Sequence, residues 1–542
     1  MMGAVRQLAA ALMASAAFAT TAHASVVVQA PAGAVSGEAR DGIVAFKGLP
    51  YAQPPVGERR WRAPEPLAAW QGVRDATQFG AACPQPISRP GSIYASPLEK
   101  IDEDCLFLNI WAPEKAEKAP VIVWIHGGSL VTGAGHENMY EGTSLAQRDA
   151  VVVSINYRLG VLGYMAHPEL SAENPQNISG NYGLLDQVRA LEWVRDNIAA
   201  FGGDPENITI AGESAGALSV MYLMASPKAR GLFHKAILQS AYLISTPELR
   251  GSTHGDLAAE DGGRILGEKL GRDLKGLREM DAQELMLAAI TNGFGPWGAV
   301  DGEILPRQLI DIFANGEQAD VPVLAGYNEG EIRTLRMLAP PEPTDPVAYE
   351  AAIRARYGDL ADEFLRQHPS TNMGESVLTS VRDMLYGWTA QRLVKNTTAK
   401  GKDAFLYYFD HAYPATTAAN LHAFHAAEIP YVFGTFDRTP VMWPRPKLTV
   451  AEGRLSESLG DYWVSFARDG QPSSPHGPQW PAYGSEQNYL HIGDEARADQ
   501  NLAPGMFELN EEVVCRRYQQ GGIPWNWNVG LWAPEGVHGS CK

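Results

Sequence analysis

The sequence predicts an α/β architecture: a large, mostly parallel, doubly wound sheet with helical insertions roofing one edge. Three observations carry this expectation. Residues 119–125 and 150–156 are almost wholly apolar, as strands covered on both faces are. Strand-like runs alternate with helical periods, the pattern of parallel strands joined by crossover helices. Between two such runs lies Gly212-Glu213-Ser214-Ala215-Gly216, preceded by the β-rich 207–211 and followed by the apolar 217–224. A strand, a tight glycine-flanked turn and a helix would hold Ser214 in a strained conformation with its hydroxyl in open space. The same helix N-terminus favours developing negative charge.

The chain has 542 residues, 45% hydrophobic and 20% charged, enough for one large domain with insertions. No Ser/Gly-rich or charged linker divides it, so residues 25–542 read as a single unit. The formal net charge of −18 argues against nucleic acid and against an anionic membrane surface as partners. Residues 1–24 read as a signal peptide. They hold a short basic start to Arg6, an Ala-rich apolar segment from Leu8 to Phe18, and the cleavage site Ala22-His23-Ala24. The mature chain then begins at Ser25, in the periplasm or outside the cell. The apolar run is short for a bilayer span, and no later stretch reaches its length, so no stable membrane anchor is expected. The four cysteines suit an oxidising compartment. They allow three pairings, and local pairing, Cys83 with Cys105 and Cys515 with Cys541, is expected. Their spacing does not match C-x-x-C metal or redox sites, and no metal is expected. Asn177, Asn207 and Asn396 open glycosylation sequons, which carry no weight beside a signal of bacterial type. Oligomeric state leaves no mark in the sequence.

In chain order, residues 26–73 read as short strands and turns. The prolines of 46–57 exclude a helix there. Residues 83–105 form a proline-containing loop. Strands are expected at 106–111, 119–125, 150–156, 207–211, 235–240, 321–325 and 404–409. Leu184, Leu185, Val188, Leu191, Val194 and Ile198 recur at helical spacing, so 184–200 is a helix. Residues 245–320 and 340–400 are richer in helical pattern and polar turns, and read as the insertions that cover the site. Ligands of such sheets bind beyond the carboxyl ends of the strands.

A lone G-x-S-x-G is weak and equally describes a serine helix cap. Its partners decide. His126-Gly127-Gly128-Ser129 follows the strand 119–125 directly. Backbone N–H groups there would stabilise an oxyanion, each worth about 3 kcal/mol in a transition state. The base must be one of thirteen histidines. His425 follows the late strand 404–409 on a loop, with His422 as the nearby competitor. The acid is expected after 321–325, where Glu329 and Glu331 both stand. The order serine, acid, histidine separates this arrangement from other serine triads.

Together these residues resemble the type-B carboxylesterase family, the cholinesterase-like branch of the α/β-hydrolases. The resemblance runs from about Gly33 to about Asp494. Phe46-Lys47-Gly48-Leu49-Pro50-Tyr51-Ala52 is similar to the family's F-x-G-I-P-Y-A, and Glu103-Asp104-Cys105-Leu106-Phe107-Leu108-Asn109 matches its E-D-C-L-x-L-N. Gly180 to Gln187, Phe201 to Pro205 and the Ser214 turn follow in family order. The resemblance implies Ser214 as nucleophile, His425 as base, and Gly128, Ser129 and Ala215 as oxyanion donors, with Ser129 in place of the usual Gly or Ala. It implies Cys83 paired with Cys105. It implies Glu213, Ser240 and Glu428 as a buried polar network beneath the triad. The family's acid stands five residues after the first Gly of its motif, which gives Glu331 without a gap. Its familiar E-G dipeptide falls instead at Glu329-Gly330, which needs a two-residue deletion. Glu331 is the expectation.

The chemistry so implied is ester hydrolysis through an acyl-enzyme, with no metal or organic cofactor. Amide, thioester and lactone bonds are open to the same chemistry. The rival class is a non-catalytic adhesion or binding protein, whose members lose the nucleophile or its partners. The 83–105 loop holds Tyr94 but no Trp, the strongest cation-binding ring, which argues against a true cholinesterase. Tyr94, Tyr242, Phe294 and Trp297 are candidate pocket walls, each equally readable as core. The partner is a small-molecule ester.

Overall fold

The computed structural model describes residues 24–87, 91–525, 529–536 and 539–541. The signal sequence read over 1–24 lies outside them, except for Ala24, which opens the first strand.

Thirteen strands form one sheet. They are β1 (Ala24–Ala30), β2 (Gly33–Arg40), β3 (Ile43–Pro50), β4 (Val73–Asp75), β5 (Phe107–Pro113), β6 (Ala119–Ile125), β7 (Val151–Ile155), β8 (Gly203–Glu213), β9 (Lys235–Gln239), β10 (Val323–Asn328), β11 (Ala404–Phe409), β12 (Asn488–Ile492) and β13 (Ala496–Gln500). Their order is β1-β2-β3-β5-β7-β6-β8-β9-β10-β11-β12-β13, with β4 beside β2. The run β7-β6-β8-β9-β10-β11-β12 is parallel throughout, and the β1-β2-β3-β5 side is antiparallel.

The unbroken apolar runs follow from this placement. Val121, Val123 and Ile125 of β6 face one core, and Ile122 and Trp124 face the other. A strand between two cores has no polar face, because successive side chains point to opposite sides. The crossover helix Tyr182–Asn197 ends in a 3₁₀ turn, Ile198–Phe201. β10 begins two residues later than the apolar run suggests, after Pro322, which has no N–H for a ladder and offers its carbonyl to the Ala236 N–H instead (3.1 Å).

The two expected insertions are helical. Ala259–Leu270, Leu274–Glu279, Ala282–Thr291 and Leu309–Ala314 fill the first. Pro346–Tyr357, Ala361–Gln367, Met373–Arg382 and Trp388–Ala399 fill the second, with a π-helical turn at Asp383–Gly387. Both cysteine pairs are local. Cys83–Cys105 and Cys515–Cys541 have Cα separations of 4.9 and 6.1 Å and close loops of 22 and 26 residues, each worth about 3 kcal/mol on chain-entropy grounds. Among the described residues no helix is long and apolar enough to cross a membrane.

Candidate active site

The site lies where the parallel strands end. β8 stops at Glu213, and Ser214 takes φ 57° and ψ −122° before the helix Ala215–Ala225 begins. That backbone is strained for a residue with a side chain. Close packing pays for it: a Cβ on Gly216 would sit 2.0 Å from the Ile125 carbonyl oxygen, and one on Gly212 2.5 Å from the Gly216 carbonyl carbon. β6, β8 and the helix therefore meet backbone to backbone. Ser214 keeps some exposure while its neighbours on both sides are buried. Its hydroxyl has no hydrogen-bond partner among the described residues.

The loop after β6 packs against this turn. A Cβ on Gly127 would lie 3.2 Å from that of Ser214. Gly128, Ser129 and Leu130 follow with φ of 100°, 58° and 59°. Neither Gly128 N–H, Ser129 N–H nor Ala215 N–H has an acceptor among the described residues. The Ser129 side chain is exposed. Behind the loop, His126 stacks on Tyr157 at 4.5 Å, and its Nδ1 lies 2.8 Å from the Gly127 carbonyl. Burial pushes the His126 pKa down to about 4, so a neutral imidazole donates from Nδ1 to that carbonyl.

The loops that carry Glu331 and His425 follow β10 and β11. Glu331 is fully buried. Its Oε1 accepts from the Ser240 hydroxyl (2.6 Å) and the Asn328 N–H (2.8 Å), and its Oε2 lies 2.5 Å from His425 Nδ1. The other face of the imidazole meets Glu213: Nε2 and Oε1 are 3.1 Å apart, an ion pair without hydrogen-bond geometry. Burial opposes charge on His425, but the Glu213, Glu331 and Glu428 carboxylates outweigh it and raise its pKa. Burial raises that of Glu213, with His425 pulling the other way. Glu428 is buried one layer down, accepting from Gln239 Nε2 (2.8 Å) and Asn328 Nδ2 (2.6 Å), and Trp463 Nε1 donates to Gln239 Oε1 (2.9 Å).

The structure thus brings together Ser214, His425, Glu331, Gly128, Ser129, Ala215, Glu213, Ser240 and Glu428. Of the aromatic residues, Tyr94 bonds to the His425 carbonyl (2.8 Å). Tyr242 packs edge-on to Tyr386 (6.0 Å), which leans on the His425 ring (5.5 Å). Phe294 and Trp297 line a different cavity of about 310 Å³ beside the helix Ala259–Leu270, and Ser214 is not among its walls. The sequence reading missed Asn328, Gln239 and Tyr386. Asn328 had a signal: it stands two residues after Gly326, where the motif that the resemblance supplies for the acid loop carries Asn or Thr. Gln239 and Tyr386 had none: Tyr386 is aimed at the site by the π-helical turn, which periodicity does not reveal. Among the described residues no group of three or more His, Cys, Asp or Glu is placed to hold a metal ion.

A parallel sheet carrying a serine turn, a glycine loop and a histidine at its strand ends defines the α/β-hydrolase fold. The sequence pattern of the carboxylesterase family matches residues 24–509, and the chain belongs to that family of ester hydrolases. It is 37% identical to the para-nitrobenzyl esterase of Bacillus subtilis (strain 168), over 86% of this chain and 94% of that one. It is 35% identical to the fumonisin B1 esterase of Sphingopyxis macrogoltabida, over 89% of each. A solved carboxylesterase of Geobacillus stearothermophilus superposes with a TM-score of 0.76 at 35% identity, over 89% of this chain and 99% of that one.

Proposed function

We propose that this carboxylesterase works through a Ser214-His425-Glu331 triad, with Gly128, Ser129 and Ala215 N–H groups as oxyanion hole. The observation that carries the reading is the 2.5 Å contact between His425 and buried Glu331 beside a serine in elbow conformation. Glu331 fixes the tautomer with the proton on Nδ1, which leaves Nε2 to act as base. Nε2 exchanges its electrostatic contact with Glu213 for the Ser214 hydroxyl and takes its proton as Oγ attacks the ester carbonyl. The carbonyl oxygen gains charge against the free N–H groups of the Gly128 loop and the helix N-terminus. The resulting imidazolium, stabilised by Glu331, gives its proton to the departing alcohol. Water, activated by the same imidazole, then releases the acid from Ser214.

The test is a short-chain nitrophenyl ester followed on the millisecond scale. A burst of nitrophenol equal to the enzyme concentration is expected, and Ser214→Ala should abolish it. Burst and turnover surviving in Ser214→Ala would end the reading.

The substrate we propose is a small-molecule ester met outside the cytoplasm, hydrolysed by a single domain starting at Ser25. Two disulfides support an oxidising compartment, which a signal peptide over 1–24 would provide. N-terminal sequencing of the exported protein checks both.

A further inference from the structure

Among its described residues the segment between Cys83 and Cys105 has almost no regular structure, yet it reaches the site at two points. Gln85 braces the far end of the glycine loop: Gly133 N–H donates to Gln85 Oε1 (2.8 Å), and Gln85 Nε2 donates to the Gly133 carbonyl (2.9 Å). Tyr94 makes the second connection. Its hydroxyl oxygen is 2.8 Å from the His425 carbonyl and 2.7 Å from Thr334 Oγ1.

The direction of these bonds is fixed by chemistry. A carbonyl oxygen only accepts, so the Tyr94 proton is committed to His425. Thr334 must then donate to Tyr94. One phenol oxygen joins three loops: the cysteine loop, the loop of the acid three residues past Glu331, and the loop of the base. Bonds in such a chain polarise and strengthen one another. Burial and the surrounding Glu213, Glu331 and Glu428 carboxylates keep the phenol protonated, against the lowering effect of the Thr334 bond. The ring is held independently of its hydroxyl. It packs edge-on to Trp443 at 6.0 Å, and Trp443 packs on Phe424, the residue before His425, at 4.7 Å.

The bonded carbonyl belongs to the peptide between His425 and Ala426. Ala426 has φ 68°, the left-handed region that a Cβ disfavours. The orientation of this carbonyl goes with that conformation, so a bond that fixes the carbonyl also holds the backbone from which the His425 side chain projects. We infer that Tyr94 is a positioning residue for His425: its hydroxyl pins the strained 425–426 peptide and so sets the imidazole between Glu331 and Ser214. This rests on the reading of His425 as the base.

Tyr94→Phe removes the hydroxyl and keeps the ring that packs on Trp443. Steady-state kinetics on the nitrophenyl ester, with melting temperature as a folding check, should show kcat down about tenfold with KM within about twofold, the mark of misplaced chemistry rather than lost binding. Thr334→Val should cost about threefold in kcat, and the double variant no more than Tyr94→Phe alone, because Thr334 acts only through Tyr94. Ala426→Gly relieves the strain, so Tyr94→Phe should cost less in that background. Wild-type kcat in Tyr94→Phe, a loss confined to KM, or multiplying losses in the Tyr94/Thr334 double variant would overturn the inference. If Ser214→Ala stays active, the triad itself fails. If Ser214→Ala is dead and Tyr94→Phe behaves as wild type, only the role of Tyr94 fails.

Discussion

The loop after β10 supplies two glutamates and the loop after β11 two histidines, so a glutamate–histidine pair forms twice over. Glu331 and His425 meet at 2.5 Å, with side chains 0% and 7% exposed. Glu329 and His422 meet at 3.5 Å, 19% and 37% exposed. The second glutamate also lies 3.9 Å from Arg333 and 4.0 Å from Arg382. Two positions along one loop and three along the other separate a short contact with fixed partners from a longer one whose carboxylate also faces two arginines. Residue type does not distinguish the pairs. Burial and the hydrogen bonds from Ser240 and Asn328 do, because a carboxylate orients an imidazole only if it is itself held.

His425→Gln should lower kcat by about 10⁴ or more, whereas His422→Gln should leave it within about twofold, and rates on one nitrophenyl ester settle the contrast. Glu331→Gln should cost about 10² to 10⁴ in kcat by losing the imidazole's anchor. A Glu329→Gln variant that lost more than Glu331→Gln would reverse the assignment of the acid. Glu213→Gln acts on pH rather than on the anchor. The protonated His425 is inactive as a base, so kcat/KM falls as pH drops through its raised pKa. Removing the Glu213 charge takes away the foremost influence raising that pKa, and the acid limb should move toward lower pH by about one unit. A limb that stays put would show that Glu213 does not reach the imidazole. The smallest effect is at Glu329 itself: its carboxylate faces Arg333 and Arg382 as well as His422, so Glu329→Gln should change kcat less than about twofold and leave the pH profile in place.

The central strands were legible because both of their faces are apolar, so β6 and β11 match the sequence reading to the residue. The β12–β13 hairpin was not. Its outer strand Ala496–Gln500 is largely solvated and carries no apolar run, so composition hides it. The long helix Val450–Asp469 was missed as well, although Thr449 caps it by accepting from the Glu452 N–H, a local signal a capping search finds. At the site, Ser214, Glu331 and His425 were readable because each sits in a motif tied to a strand end. The hydroxyl of Tyr94 was not, since a bond spanning 331 residues of chain leaves no trace in local pattern. Phe294 and Trp297 show the converse: aromatic residues near the expected roof, set by the fold into the wall of another cavity.

At Gly127, Gly212 and Gly216 even one added methyl would collide with neighbouring main chain. The Ser214 turn and the Gly128 loop are therefore packed as one piece, and neither can be nudged without the other. Adaptation to a new ester has little freedom in this floor. It has more in the helical insertions, one of which brings Tyr386 to the His425 ring, so members of a lineage carrying this chain should diverge in what they cleave long before they diverge in how they cleave it.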